Sequence, residues 1–361
     1  MNRRNLLLGA GALAAAGGAG LAGWSAAVGS TADYDRYSAR LRAAAPADPA
    51  LVDLIRYATL AANGHNTQPW RFRIADAAID ILPDLSRRTP VVDPDDHHLF
   101  VSLGCAAENL RMAATATGRP GTLSLEGTAA RYEFDRGPAR ADPLFDAIPL
   151  RRCSRTLYDG RPLSSRDLET LELAANTPGV RLILLTDRPR INQARDLVVA
   201  GNEAQMTDPA FMAELKRWLR FNPRDAMRTG DGLYSAASGS PVLPAGAGGF
   251  AFDRFFGAAA ENERYARQID SSSGLAVFLA EGADPAHWMT VGRACQRFML
   301  AVAALDLRCA FVNQPVEVAG LRPALAALVG EASLRPDLVL RFGRGPVLPF
   351  SPRRSVASVI V

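Results

Sequence analysis

Residues 62–70 read ANGHNTQPW. Before them, Leu51, Leu54, Ile55, Ala58 and Ala62 recur at helical spacing, so residues 48–62 are expected as an amphipathic helix. After them, residues 71–74 and 79–82 read as the two short strands of a hairpin. Trp70, a large apolar ring with one donor, is the expected core anchor of this junction. Asn63, Gly64, His65 and Asn66 lie between helix and sheet, where backbone and amide donors can face a bound polar group.

Working outward, the same periodicities lay out the rest of the chain. An Ala-rich helix is expected at 102–117, strands at 122–125 and 131–134, and a short helix at 143–151 with Asp142 as cap. A helix at 165–176, a buried-type strand at 180–186 and helical sequence at 191–219, broken near Asp208 and Pro209, follow. Residues 239–249 (GSPVLPAGAGG) read as a flexible loop or lid hinge. A central strand is expected at 275–279, a second Ala-rich helix at 292–305 and a late strand at 339–342. The two Ala-rich helices are alike. LGCAAENL at 103–110 aligns with VGRACQRF at 291–298, an offset of 188 residues that suggests an internal duplication with its boundary near residue 140.

The 361 residues are 48% hydrophobic and 22% charged, which excludes disorder, coiled coil and a polytopic membrane protein. A net charge of +4 leaves no nucleic-acid footprint. All but one of the 41 basic residues are Arg, Lys216 being the exception. The four cysteines form no C-x-x-C and the four histidines no H-E-x-x-H, so no metal is expected. No G-x-G-x-x-G follows a strand, which excludes a Rossmann nicotinamide domain. Asn2, Arg3, Arg4, Asn5, Leu6 and Leu7 form a twin-arginine signature ahead of a weakly apolar Ala/Gly stretch. Residues 1–30 are therefore expected to be a leader outside the fold, read by the twin-arginine (Tat) machinery. The protein would be periplasmic or in the cell envelope, and tethered to the membrane if the leader is kept.

Two further segments carry chemistry. Residues 151–155 read RRCSR, and RFGRG at 341–345 is followed by PRR at 352–354. Arg151, Arg152, Arg155, Arg353 and Arg354 offer guanidinium forks suited to a phosphate. Asn313 and Gln314 form a turn after the expected strand 309–312. His97 and His98 read as a solvated loop, and Asp231 and Gly232 as a turn.

Taken together, these segments resemble the FMN-dependent nitroreductase family. Asn66 to Trp70 matches its N-x-Q-P-W loop, residues 151–155 its R-R-S-x-R segment with Cys153 in the Ser position, and 341–345 with 352–354 its basic tail. A G-x-A-x-Q-N-like helix is matched twice, at 104–109 and 292–297. Family members are homodimers with each flavin between subunits, and the basic segment precedes the loop. Here the loop comes about eighty residues earlier, which resembles the Acg-like branch with two fused halves.

The resemblance implies an α+β fold of tandem, pseudo-dimeric halves, each with an antiparallel sheet flanked by helices. The expected halves are 31–140, degenerate, and 141–361, carrying a lid-like insertion at 205–260. It implies one FMN per monomeric chain, bound by Arg151, Arg152, Cys153, Arg155, Asn63, Gly64, His65, Asn66, Asn313, Gln314, Arg353 and Arg354. Cys153 is expected as a small residue in a Ser position and not a nucleophile. The implied activity is electron transfer through flavin N5 to a nitro-aromatic or quinone-like small molecule, with NAD(P)H as donor. The alternative is an FMN-holding protein with little turnover.

Overall fold

The computed structural model describes residues 23–46, 48–140 and 142–361, and the twin-arginine motif lies outside them. Helix α1 (Thr31–Leu41) starts at Ser30, whose side chain accepts from the Asp33 N–H. Helix α2 (Leu51–Thr59) leads into a hairpin of β1 (Trp70–Ala75) and β2 (Ala78–Pro83). The long α3 (His97–Ala116) precedes β3 (Gly121–Glu126) and β4 (Ala129–Phe134). These strands form an antiparallel sheet in the order β1-β2-β4-β3.

Helix α4 (Ser165–Ala175), strand β5 (Val180–Leu185) and helices α5 (Arg188–Met206) and α6 (Pro209–Trp218) follow. The two-residue strands β6 (Leu219–Arg220) and β7 (Leu233–Tyr234) pair across α7 (Pro223–Thr229). Next come α8 (Ala245–Phe255), α9 (Ala258–Asp270), β8 (Gly274–Ala280), α10 (Pro285–Ala304) and β9 (Arg308–Phe311). The short α11 (Gln314–Glu317), α12 (Arg322–Leu328) and β10 (Pro336–Gly343) complete the set. The second sheet is antiparallel in the order β5-β8-β10-β9, with every residue of β8 and β10 buried. The expected α+β class, with antiparallel sheets flanked by helices, is observed.

The two Ala-rich helices pack face to face. A Cβ on Gly104 would lie 1.9 Å from the Met289 carbonyl oxygen, and one on Gly292 would lie 2.0 Å from that of Val101. Only glycine permits this approach. The polar contacts repeat the reciprocity. Gln296 Nε2 donates to Asn109 Oδ1 at 2.8 Å, and Arg297 Nη1 donates to Glu108 Oε1 at 3.2 Å. Shifting by 188 residues exchanges these two pairs, the pattern of an isologous two-fold contact. Glu108 is fully buried, yet Arg111 and Arg293 hold its carboxyl down to about 2 against the upward push of burial. The main core runs from Leu54 and Trp70 through both helices to Phe278 and Phe342, so both sheets share it.

Several expected elements take other forms. Residues 143–151 supply only a 3₁₀ turn at Phe145–Ala147, because Pro149 cannot continue a helix. Strand β5 is half-buried, since it forms a sheet edge and presents Arg181 to solvent. The Gly-rich half of 239–249 is helical, absorbed into α8 after Pro244. His97 and His98 are not in a solvated loop: they open α3 and are buried, because Asp93 accepts from the His98 and Leu99 N–H groups and caps the helix. Residues 23–28 are helical and pack on the fold, with Val28 buried and the Ala26 carbonyl accepting from Arg224. The leader boundary expected at residue 30 therefore falls inside packed structure.

Candidate active site

The loop after α2 is built on left-handed backbone. His65, Asn66 and Gln68 have φ of 45°, 53° and 53°. Each costs a non-glycine residue roughly 1–2 kcal/mol, so the surroundings must impose the conformation. They do so through side chains. The Gln68 N–H donates to Asn63 Oδ1 at 2.8 Å. Asn66 Nδ2 donates to the Gly232 and Pro352 carbonyls at 3.0 Å each, and its Oδ1 accepts from Arg353 Nη1 at 2.8 Å. Gln68 Nε2 donates to the Gly230 carbonyl at 2.9 Å, while its Oε1 accepts from the Arg354 N–H at 2.9 Å. The amides of Asn63 and Asn66 are thus spent on holding the loop, and His65 is presented outward from it.

Most of the expected phosphate arginines are committed elsewhere. Arg353 is buried and donates to the Thr59, Leu60 and Ala61 carbonyls, so it caps the C-terminus of α2. Burial, then Arg151 nearby, pushes its pKa below the usual range. Arg151 Nη2 donates to the Leu60 carbonyl at 2.8 Å, leaving its buried Nε without a partner. Arg152 donates to the Leu348 carbonyl and lies 3.6 Å over the Phe350 ring. Arg354 donates to the Gln68 and Ser358 carbonyls. Cys153 forms a single β-bridge with Cys309. Arg151, Arg152, Asn66, Arg353 and Arg354 lie outside the cavity lining, because backbone carbonyls claim their donors first, and Cys153 lies outside it as well.

The other six expected residues, Asn63, Gly64, His65, Arg155, Asn313 and Gln314, converge on one cavity of about 240 Å³. The Gly64 N–H donates to Ser102 Oγ at 3.2 Å, which ties the loop to α3. Asn313 Oδ1 accepts from the Val339 N–H at 2.8 Å, which ties the turn to β10. His65 Nδ1 and Gln314 Oε1 are buried without a hydrogen-bond partner. Burial, aided by Arg155, pushes the His65 pKa down to about 4, so its imidazole is neutral.

The cavity also holds groups that the sequence did not single out as site residues. Glu317 Oε2 accepts from Gln205 Nε2 at 2.6 Å, and Glu317 Oε1 lies 3.5 Å from His98 Nε2. Burial, with Asp93 adding to it, lifts the Glu317 carboxyl to about 7. Burial also drives His98 far below the usual histidine range. Behind it, His97 Nε2 meets Asp337 Oδ1 at 2.9 Å. Burial pushes His97 down to about 3 and Asp337 up to about 7. Phe211, Leu215 and Phe256 from the 205–260 segment supply an apolar face. Among the described residues, no cluster of three His, Cys, Asp or Glu side chains is arranged to hold a metal. No helix among them is long and apolar enough to cross a membrane.

No protein-family model matches the chain. Rv3131 of Mycobacterium tuberculosis, named as a proposed NAD(P)H nitroreductase, is 25% identical over 320 residues, covering 82% of this chain and 86% of its own. The protein acg of the same organism, named in the same way, is 23% identical over 329 residues, covering 84% of this chain and 93% of its own. Among solved structures, the FMN-dependent nitroreductase NfnB from Mycobacterium smegmatis in complex with NADPH matches 56% of this chain and 87% of its own, at 15% identity and a TM-score of 0.39. A nitroreductase with bound FMN from Desulfitobacterium hafniense matches 60% of this chain and 94% of its own, at 14% identity and a TM-score of 0.37. Over more than four-fifths of its length, then, the chain is similar in sequence to proteins named as NAD(P)H nitroreductases.

Proposed function

We propose that the protein is an FMN-dependent oxidoreductase of the nitroreductase type, which passes electrons from NAD(P)H to a nitro-aromatic or quinone-like acceptor. One observation carries the reading. The strained 62–68 loop, Arg155 and the Asn313–Gln314 turn, far apart in sequence, meet at one cavity and leave His65 Nδ1 and Gln314 Oε1 unpaired there. A heterocycle bearing ring donors and acceptors would satisfy both atoms. Bound there, FMN would supply reversible hydride chemistry at N5. His65 and Gln314 would orient the ring, and Arg155 would stabilise negative charge on it. Arg353 and Arg151 act through the loop, by fixing the end of α2.

The reciprocal α3–α10 contact supports a fused pseudo-dimer with halves near 31–140 and 141–361, one FMN per chain and a monomeric protein. The twin-arginine motif supports export by the Tat route to the periplasm or cell envelope. The visible spectrum of the purified protein, with released pigment quantified, tests the cofactor: about one FMN per chain supports the reading, and a chain that takes up none overturns it. A second reading, FMN retention with little turnover, is favoured by Phe211, Leu215 and Phe256, which line the cavity from the 205–260 segment. A flavin that stays yellow under anaerobic NADPH would select it. Rapid bleaching followed by reoxidation with a nitro-aromatic would sink it.

A further inference from the structure

The cavity lined by the 62–65 loop also carries an acid. Glu317 closes the short helix α11, three residues beyond Gln314 in the turn that lines the same cavity. Its Oε2 is fixed by Gln205 Nε2 at 2.6 Å, and its Oε1 is left 3.5 Å from His98 Nε2, beyond a strong hydrogen bond. The side chain is 17% exposed and lines the cavity. The groups facing it are His98 from α3, Asp93 from the preceding loop and Tyr265 from α9, with His97, Asp95 and Arg335 behind His98. No cation pairs directly with Glu317 among the described residues. Phe211 and Leu215 add apolar lining to the same cavity, a setting for a flat carbonyl-bearing ring.

We propose that Glu317 is the proton donor to a quinone-type acceptor reduced in this cavity. The inference rests on the flavin reading above. FMN held in the cavity would supply the quinone with a hydride, that is two electrons and one proton, and the second proton comes from the Glu317 carboxyl. The carboxyl O–H bond breaks, an O–H bond forms at the quinone oxygen, and a hydroquinone leaves. The carboxylate is then reprotonated from solvent. Burial keeps Glu317 protonated up to about pH 7, where a general acid is most useful.

The test reduces the FMN-loaded protein chemically with dithionite and follows its reoxidation by menadione, which needs a proton, and by ferricyanide, which needs none. Glu317→Gln is expected to slow the menadione reaction by roughly 10²-fold, to remove its decline above about pH 7 and to leave the ferricyanide rate unchanged. Glu317→Asp, which keeps an acid, is expected to recover part of the menadione rate, and it substitutes if the Gln variant does not fold. A readout independent of turnover is the infrared band of a protonated carboxyl near neutral pH, present in the wild type and reduced in Glu317→Gln. Equal slowing with both oxidants, no slowing, or an unchanged carboxyl band each overturns the inference while leaving the flavin reading intact. A chain that binds no FMN overturns both.

Discussion

Gly104 and Gly292 stand in the same relation to each other's helix: each backbone presses on the carbonyl three residues before the other's glycine. A methyl group at either position would sit within about 2 Å of a backbone oxygen that has no room to retreat. Gly104→Ala and Gly292→Ala should each cost about 1–3 kcal/mol, and by similar amounts. Urea unfolding of the two variants checks this, and a neutral result at either site would mean the helices are not in this contact.

Glu108 gives a pH signature. Its folded pKa of about 2 lies below the usual 4.5. The stabilisation is therefore fully present above pH 4.5 and is lost as pH falls towards 2. Glu108→Gln leaves Arg111, Arg293 and Arg297 around an uncharged group and should cost about 3 kcal/mol at neutral pH. Unfolding midpoints measured from pH 6 to pH 2 should draw together for wild type and variant below pH 4.5 as acid removes the difference.

Arg353 and His65 should separate scaffold from ligand contact. Arg353→Met removes the donors to Thr59, Leu60, Ala61 and Asn66 and should lower stability by about 3 kcal/mol as well as FMN retention.

His65→Ala removes a side chain whose Nδ1 has no protein partner. It should change stability by less than about 1 kcal/mol while weakening FMN roughly three- to tenfold. Flavin fluorescence titration alongside thermal unfolding distinguishes the two variants, and a His65→Ala protein that binds FMN as well as wild type would remove His65 from the site.

The helix pair was legible because small residues recur on one face of each helix, and Trp70 because a buried ring at a loop–strand junction has few alternatives. The roles within the loop were not. The sequence shows that Asn63 and Asn66 carry amides, but only the fold shows that Asn63 Oδ1 accepts from the Gln68 N–H and that Asn66 Nδ2 donates to the Gly232 and Pro352 carbonyls. Likewise, the arginines at 151 and 353 were visible as charge, whereas the carbonyls at the end of α2 that consume them come together only in three dimensions. His97 and His98 were misread because their capping residue, Asp93, lies several positions upstream. Glu317 gave no sequence signal at all: Gln205 and His98 reach it from distant helices.

The shared core has a consequence for how the molecule comes together. In a true two-subunit assembly, closing α3 against α10 would be a second-order event whose yield falls on dilution. Here both helices belong to one chain, so the tether fixes their effective concentration. The central contact itself then obeys no mass action, and dilution does not loosen it.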